Sequence, residues 1–254
     1  MTLTVEIAWI LAIALVAIRF GAVLVLTPIF GSASVPANVR VLFVVGLSAL
    51  MVSGLHIEAA TLPLTLPAFV MAALSELLLG ALLAFGIFAA FAAFLLAGRI
   101  MDVQLGFGVA SLIDPMNRTQ SPLLGTILNL TAVAIFFAID GHHMLMRGLV
   151  FSFERIPPGT LMADIDPSIV VAQFGGMFLY AVALSAPVLF TILLIDIVLA
   201  VIARSMPQVN VFIVSLPLKI LVGLLMLAIS LRYMQPLIMR IFEDIFEYWQ
   251  RLLS

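Results

Sequence analysis

Apolar runs long enough to cross a bilayer recur along this chain, and they restrict its fold more than any other feature. They occupy roughly residues 7–27, 39–55, 68–97, 122–139, 168–203 and 211–234. In hydrocarbon, every backbone N–H and C=O must find its partner within the protein, so runs of this length fold as helices. The expected class is therefore all-α, a helical membrane protein. Composition agrees. Hydrophobic residues make up 65% and charged residues 9%, against roughly 45–50% and 25% in soluble domains. The net charge of −2 gives no ground for nucleic-acid binding, and no polybasic cluster marks an anionic-lipid site. The absence of cysteine excludes disulfides, thiolate metal sites and cysteine nucleophiles.

Turn signals separate the blocks: "TPIFGSASVPANVR", "LPLTLP", "DVQLGFGVASLIDP", "ERIPPGTLMADIDP" and "ARSMPQVN". Residues 1–254 read as a single membrane domain, because the longest polar connection, about 140–167, is too short for a catalytic domain. "MTLTVEIAW" has no positive n-region and Arg19 interrupts the following apolar run, so the segment reads as a retained first helix rather than a signal peptide. Two blocks are oversize. Residues 68–97 alone make a helix of about 45 Å, against a hydrocarbon core of about 30 Å. Block 168–203 is longer and carries Gly175, Gly176 and Pro187. Such segments must bend, break into hairpins or leave the bilayer plane.

Charges sit where a bilayer resists them. Arg19, Glu76 and Lys219 lie inside apolar blocks, and Asp196 lies near the end of one. Each costs about 2.5–3.5 kcal/mol at a helix centre, so these side chains are expected to face protein or water. The positive-inside rule gives no topology. With six crossings, Arg147, Arg155, Arg232, Arg240 and Arg251 fall on one side, and Arg40, Arg99, Arg118 and Arg204 on the other.

The tail, residues 236–254, is predicted to form an amphipathic helix. Ile238, Ile241, Phe242, Ile245, Trp249 and Leu252 share one face, while Arg240, Glu243, Asp244 and Glu247 share the other. It suits a helix at the membrane interface or a docking helix for a partner. Ala89, Ala93 and Ala97, with Gly86 and Ala90 beside them, form smooth stripes that let helices approach closely.

Catalytic signatures are missing. No HExxH, Gly-x-Ser-x-Gly or phosphate-binding glycine loop occurs. In "IDGHHM", adjacent His142 and His143 are expected to point to different helix faces and not to chelate, with Asp140 as a helix cap. His56 stands alone beside a loop. Glu76 and Asp196 are either proton carriers or buried acids satisfied by arginine or backbone. The expectation is no enzyme, no cofactor and no metal. A small secondary transporter would need an inverted repeat and a site at broken helices, and no clear repeat is visible. An intramembrane enzyme would have to rest on a residue such as Asp196 or His143.

Four motifs, in order along the chain, resemble one family. "IRFGAVLVLTPIFGSASVPANVRV" (18–41), "GRIMDVQLGFGVASLIDP" (98–115), "FFAIDGHHMLMRGLVFSFERIPPG" (136–159) and "IDIVLAVIARSMPQVNVFIVSLPLKILVGL" (195–224) are similar to signatures of the flagellar biosynthetic protein FliR family. The homologous T component of injectisomes, the virulence-type secretion systems, shares the architecture. The resemblance implies an export gate of the flagellar type III secretion system in the bacterial inner membrane, at the flagellar basal body. It implies bent hairpins like a fusion of FliP-like and FliQ-like parts. The implied partners are FliP and FliQ in a helical hetero-oligomer, FlhB alongside, FlhA, the basal body ring and unfolded flagellar subunits as cargo. Energy would come from a cytoplasmic ATPase complex and the proton motive force.

The resemblance also implies a pore plug at 106–115. Gly106 and Gly108 lower the cost of unusual backbone conformations, and Phe107, Val109, Leu112 and Ile113 can form a dewetted constriction. Taken without the resemblance, the same residues suit a turn that packs on neighbouring helices. "RSMPQVN" reads as an inter-helix turn. There Pro207 lacks a donor, and Gln208 and Asn210 can bond open carbonyls. The resemblance places this turn at the gate entrance, with Arg204 and Lys219 pairing acids of this chain or of its partners.

Overall fold

The computed structural model of the protein describes residues 7–27, 36–54, 65–107, 122–160, 165–206, 208 and 211–254. All regular elements among them are helical: α1 (Ile7–Leu26), α2 (Ala37–Gly54), α3 (Leu66–Leu105), α4 (Leu123–Ala138), α5 (Gly141–Arg155), α6 (Pro167–Ser205), α7 (Val211–Tyr233) and α8 (Gln235–Leu252). Five are long and apolar enough to cross a membrane, or up to six if α4 and α5 together count as one broken span.

Neither oversize block breaks. α3 runs for 40 residues and α6 for 39 without interruption, α6 passing through Pro187. Thr191 and Ser185 hydroxyls donate to the carbonyls of Pro187 and Ala181 around that point. The break falls elsewhere. Asp140 adopts φ 58°, ψ 28°, and α4 stops where α5 begins. α5 corrects the sequence expectation, because residues 141–155 lie in what read as a polar connection. Its buried residues, Gly141, Leu145, Leu149, Ser152 and Phe153, recur at helical spacing between charged neighbours. At the start of α6, the exposed Asp166 accepts from the Ser168 hydroxyl and N–H, which holds its carboxyl below the usual range.

Contacts divide the chain into two compact units. The first holds residues 1–89, 137–173 and 244–254. Its core contains Ala12 and Val16 of α1, Val52 of α2 and Phe153 of α5. Into the same unit the end of α8 inserts Tyr248 and Trp249, both buried. The Tyr248 hydroxyl donates to Leu82 O at 3.0 Å and Trp249 Nε1 to Leu83 O at 2.9 Å. Glycine makes room for both rings. A Cβ on Gly86 would stand 2.5 Å from the Tyr248 ring, and one on Gly148 2.4 Å from the Trp249 ring.

The second unit holds residues 90–136 and 174–243. Phe91, Phe94 and Phe136 surround Phe242 at centroid distances of 5.5–5.8 Å. α3 and α4 touch backbone to backbone there, since a Cβ on Gly98 would lie 2.3 Å from Gly125 Cα. Ala90, Ala93 and Ala97 are buried on the same stretch of α3.

The amphipathic tail forms as predicted, but its apolar face is not spent on the membrane interface. Ile238, Ile241, Phe242, Ile245, Trp249 and Leu252 are all buried inside this chain. The surfaces left apolar are elsewhere: only 17% of the spanning windows of α2, α6 and α7 is buried, against 61% for α3. Those faces are available to lipid or to other subunits.

Two tests follow from this packing. Gly98→Ala should cost about 1–3 kcal/mol or more, as overpacking does. Gly175→Ala, which meets open space, should be neutral or stabilise by roughly 0.5–1 kcal/mol. Denaturant unfolding in detergent measures both, and equal effects would contradict the close approach. Burial pushes the Tyr248 phenol up to about 12. The stability held by the neutral phenol is therefore intact below about pH 10. It is lost as pH rises through about 12. Absorbance at 295 nm should show a late-titrating phenol that Tyr248→Phe removes.

Candidate functional site

The first unit is built around a charge that the bilayer would reject. Arg19 projects from the buried face of α1 and is 0% exposed, and Glu76 of α3 is 1% exposed. Arg19 Nε donates to Glu76 Oε2 at 2.6 Å and Nη2 to Oε1 at 3.1 Å, a bidentate pair. The remaining donors are also used. Nη1 reaches Ser152 O at 2.9 Å and Ser152 Oγ at 3.3 Å, and Nη2 reaches Ile156 O at 2.9 Å. The Phe153 ring lies 4.5 Å from the guanidinium carbon.

The acid is equally satisfied. Gly159, at φ 87°, turns its N–H onto Glu76 Oε1 at 3.1 Å. The left-handed backbone after two prolines suits glycine, which gives the "RIPPG" stretch a structural purpose. One ion pair thus ties α1, α3, α5 and the 156–159 turn together. Sequence reasoning named Arg19 and Glu76 but not each other as partners, and it missed Ser152 and Gly159.

In the second unit the end of α3 is closed by a Schellman motif. Gly106 at φ 83° donates to Val103 O at 3.2 Å and Phe107 N to Asp102 O at 3.0 Å. Gly106 therefore acts as a helix terminator, and Phe107 is half-buried. Four of the plug residues predicted from the sequence, Gly108, Val109, Leu112 and Ile113, lie outside the described residues.

Both ends of the segment they belong to are anchored. Asp102, 5% exposed, accepts from Leu124 N at 3.0 and 3.1 Å through its two oxygens, and from Gly125 N at 3.4 Å. It caps α4 from α3. Pro122, which precedes α4, has no side chain able to cap, so the orphan N–H groups take a carboxylate from another helix, where the helix dipole also favours it. Leu105 is held from a further side by α7, where a Cβ on Gly223 would overlap its side chain. The signal for Asp102 was present, an acid at the edge of an apolar block, but nothing in sequence named the N–H groups that donate to it.

The other charged residues sort differently. Lys219 Nζ and Asp196 Oδ1 form an ion pair at 2.5 Å, both half-buried rather than enclosed. Lys219 thus pairs within this chain. Arg204 is exposed in the last turn of α6, where its charge complements the helix dipole, and Gln208 is exposed. Pro207, Asn210 and His56 lie outside the described residues.

Comparison with known proteins places this geometry. A family model described as bacterial export proteins, family 1, matches residues 10–245. The chain is 32% identical to the flagellar biosynthetic protein FliR of Bacillus subtilis over 247 residues, 96% of this chain and 95% of that protein. The chain belongs to the FliR family of bacterial export proteins. The FliR of Escherichia coli is 28% identical over 243 residues, 93% of this chain and 90% of that protein. The Yop proteins translocation protein T of Yersinia pestis is 32% identical over 157 residues, 61% of this chain and 60% of that protein. The family is one of export components and not of enzymes. The matched region contains the whole Arg19–Glu76 network and the Asp102 clamp.

Removing one partner of a buried ion pair leaves the other charge uncompensated. Arg19→Met and Glu76→Met should each destabilise the first unit by about 3–5 kcal/mol. The double substitution should cost less than either alone. A double-mutant cycle in detergent measures the coupling, and simple additivity would contradict it.

Proposed function

We propose that this chain is a structural subunit of the flagellar type III protein export gate in the bacterial inner membrane. It forms wall and plug of a protein-conducting pore together with FliP and FliQ, with FlhB and FlhA as neighbours and unfolded flagellar subunits as cargo. The observation that carries the reading is the clamped segment after α3. Asp102 and the Gly98–Gly125 contact hold its two ends, and the first half of its sequence, "GFGVASLI", is apolar and glycine-rich, before the polar "DPMNRTQS". A conduit wide enough for a polypeptide would leak ions, so it needs a closure that yields. A short apolar stretch between fixed anchors would provide one by dewetting, without a permanent bond.

The apolar faces of α2, α6 and α7 support assembly with other helical subunits. The full use of Arg19 and Glu76 in packing supports a structural role for those charges rather than proton carriage. A second reading, a virulence-type secretion component, is supported by the likeness to translocation protein T. The flagellar relatives match over more of the chain.

Co-expression with FliP and FliQ, followed by native mass spectrometry, should give a discrete hetero-oligomer containing this chain. A monomer or homodimer that ignores those partners would contradict the assignment. In that complex, Phe107→Ala with Ile113→Ala, or deletion of 106–113, should raise ion leakage while assembly persists. Unchanged conductance in an assembled mutant would remove the plug role from this segment.

A further inference from the structure

The turn between α4 and α5 holds a polar cluster that the export role leaves unused. Asp140, His142 and His143 each offer one ligand atom, and these atoms all lie within 4.8 Å of one another. Adjacent histidines in the middle of a helix diverge. Here, at the first turn, the two imidazole centroids stand 4.1 Å apart with their planes at 37°. The Phe137 ring lies 5.4 Å from that of His142.

The backbone sets up the cluster. Asp140 is the one non-glycine residue with positive φ among the described residues. Its carbonyl accepts from His143 N at 2.9 Å and Met144 N at 3.3 Å, which fixes the first turn of α5 beneath it.

Two observations separate this turn from an ordinary helix cap. An aspartate at the N-cap normally accepts an N–H of the first turn through its side chain. Asp140 occupies that position and makes no side-chain capping bond. Its Oδ1 stands instead 3.5 Å from His143 Nδ1. The second observation is His142 Nδ1, which is buried and has no hydrogen-bond partner among the described residues. Buried polar atoms are nearly always partnered, and an orphan points to a missing group. The left-handed backbone of Asp140 leaves its carboxylate out of a capping bond and beside the two rings, where a cation could use all three side chains.

We propose that Asp140, His142 and His143 bind a late first-row divalent cation, with Zn²⁺ as the reference ion. Two imidazoles with one carboxylate suit Zn²⁺, Ni²⁺ or Cu²⁺ and not Mg²⁺ or Ca²⁺, which prefer all-oxygen shells. Ligand atoms about 3.4 Å apart fit a tetrahedral ion with bonds near 2.0–2.2 Å, and the Asp140–His143 pair is already at 3.5 Å. Both of those side chains are exposed, so they can rotate to admit the third ligand. Three protein ligands leave a fourth position for water or for a residue of another chain. The dipole of α5 opposes a cation at this end. The negative charge of Asp140 offsets it, so the carboxylate serves as counter-charge as well as ligand.

The test uses the full chain without a histidine tag, purified in detergent, stripped with a chelator and titrated with Zn²⁺ against a chromophoric competitor. Co²⁺ absorption in the visible range reports the coordination geometry. The expected result is one ion per chain with a tetrahedral Co²⁺ spectrum. His143→Gln, at an exposed position, should weaken binding at least about tenfold, the lower bound for disturbing even an outer-shell group. Asp140→Asn keeps an oxygen but loses the charge, and should weaken it likewise. Wild-type chain that binds no ion, or binding that persists unchanged in His143→Gln and in His142→Ala with His143→Ala, overturns the proposal. Elution position and thermal midpoint confirm that each variant is folded.

Discussion

The Arg19–Glu76 pair is the interaction on which the first unit depends. An arginine inside an apolar helix is tolerable only if each of its donors meets an acceptor. Here the acceptors come from α3, from the C-terminal part of α5 and from the carbonyl of Ile156. The requirement fixes more than two side chains. It demands that α5 end where it does, that the chain turn at Pro157, and that Gly159 take up a backbone form bringing its N–H to the acid. A nonspecific apolar contact permits sliding, whereas this network admits one register of α1 against α3. Gly80 adds a steric counterpart, since a Cβ there would stand 2.7 Å from Arg19 O.

The second unit solves a related problem with a single carboxylate. A helix that starts at a proline inside an apolar environment leaves N–H groups without acceptors. Asp102 supplies them from the preceding helix. The same arrangement draws together the two ends of the intervening segment. What the structure fixes is the pair of anchors, the end of α3 and the start of α4.

Hydropathy made most helices legible, because length and apolar content alone mark a spanning segment. α1, α2, α6 and α7 begin and end within a few residues of the expected blocks. The apolar face of α8 could be read from Ile238 to Leu252 by periodicity, but not what covers it, since the covering residues are far away in sequence. α5 was hidden because His142, His143, Arg147 and Arg155 interrupt a short helix whose buried residues include a glycine and a serine. Interior charges announced themselves, while their partners did not. Arg19 could have paired with any acid of this chain or another. The closeness of the His142 and His143 rings, 4.1 Å between centroids in the turn after the left-handed Asp140, could not be read from side-chain pattern, because mid-helix spacing points neighbours apart.

The central claim is that the segment following α3 lies on the path of exported protein. The chain contains no cysteine, so a single cysteine at Phe107 or Ile113 reports contacts without background. The decisive measurement is cross-linking, in cells, to an export substrate stalled in transit by a folded domain at its end. A control cysteine belongs at Leu42, on the exposed face of α2. The account predicts a substrate adduct from positions 107 and 113 that depends on stalling, and none from position 42. No adduct from 107 or 113 with a stalled substrate, or equal adducts from all three positions, would contradict it.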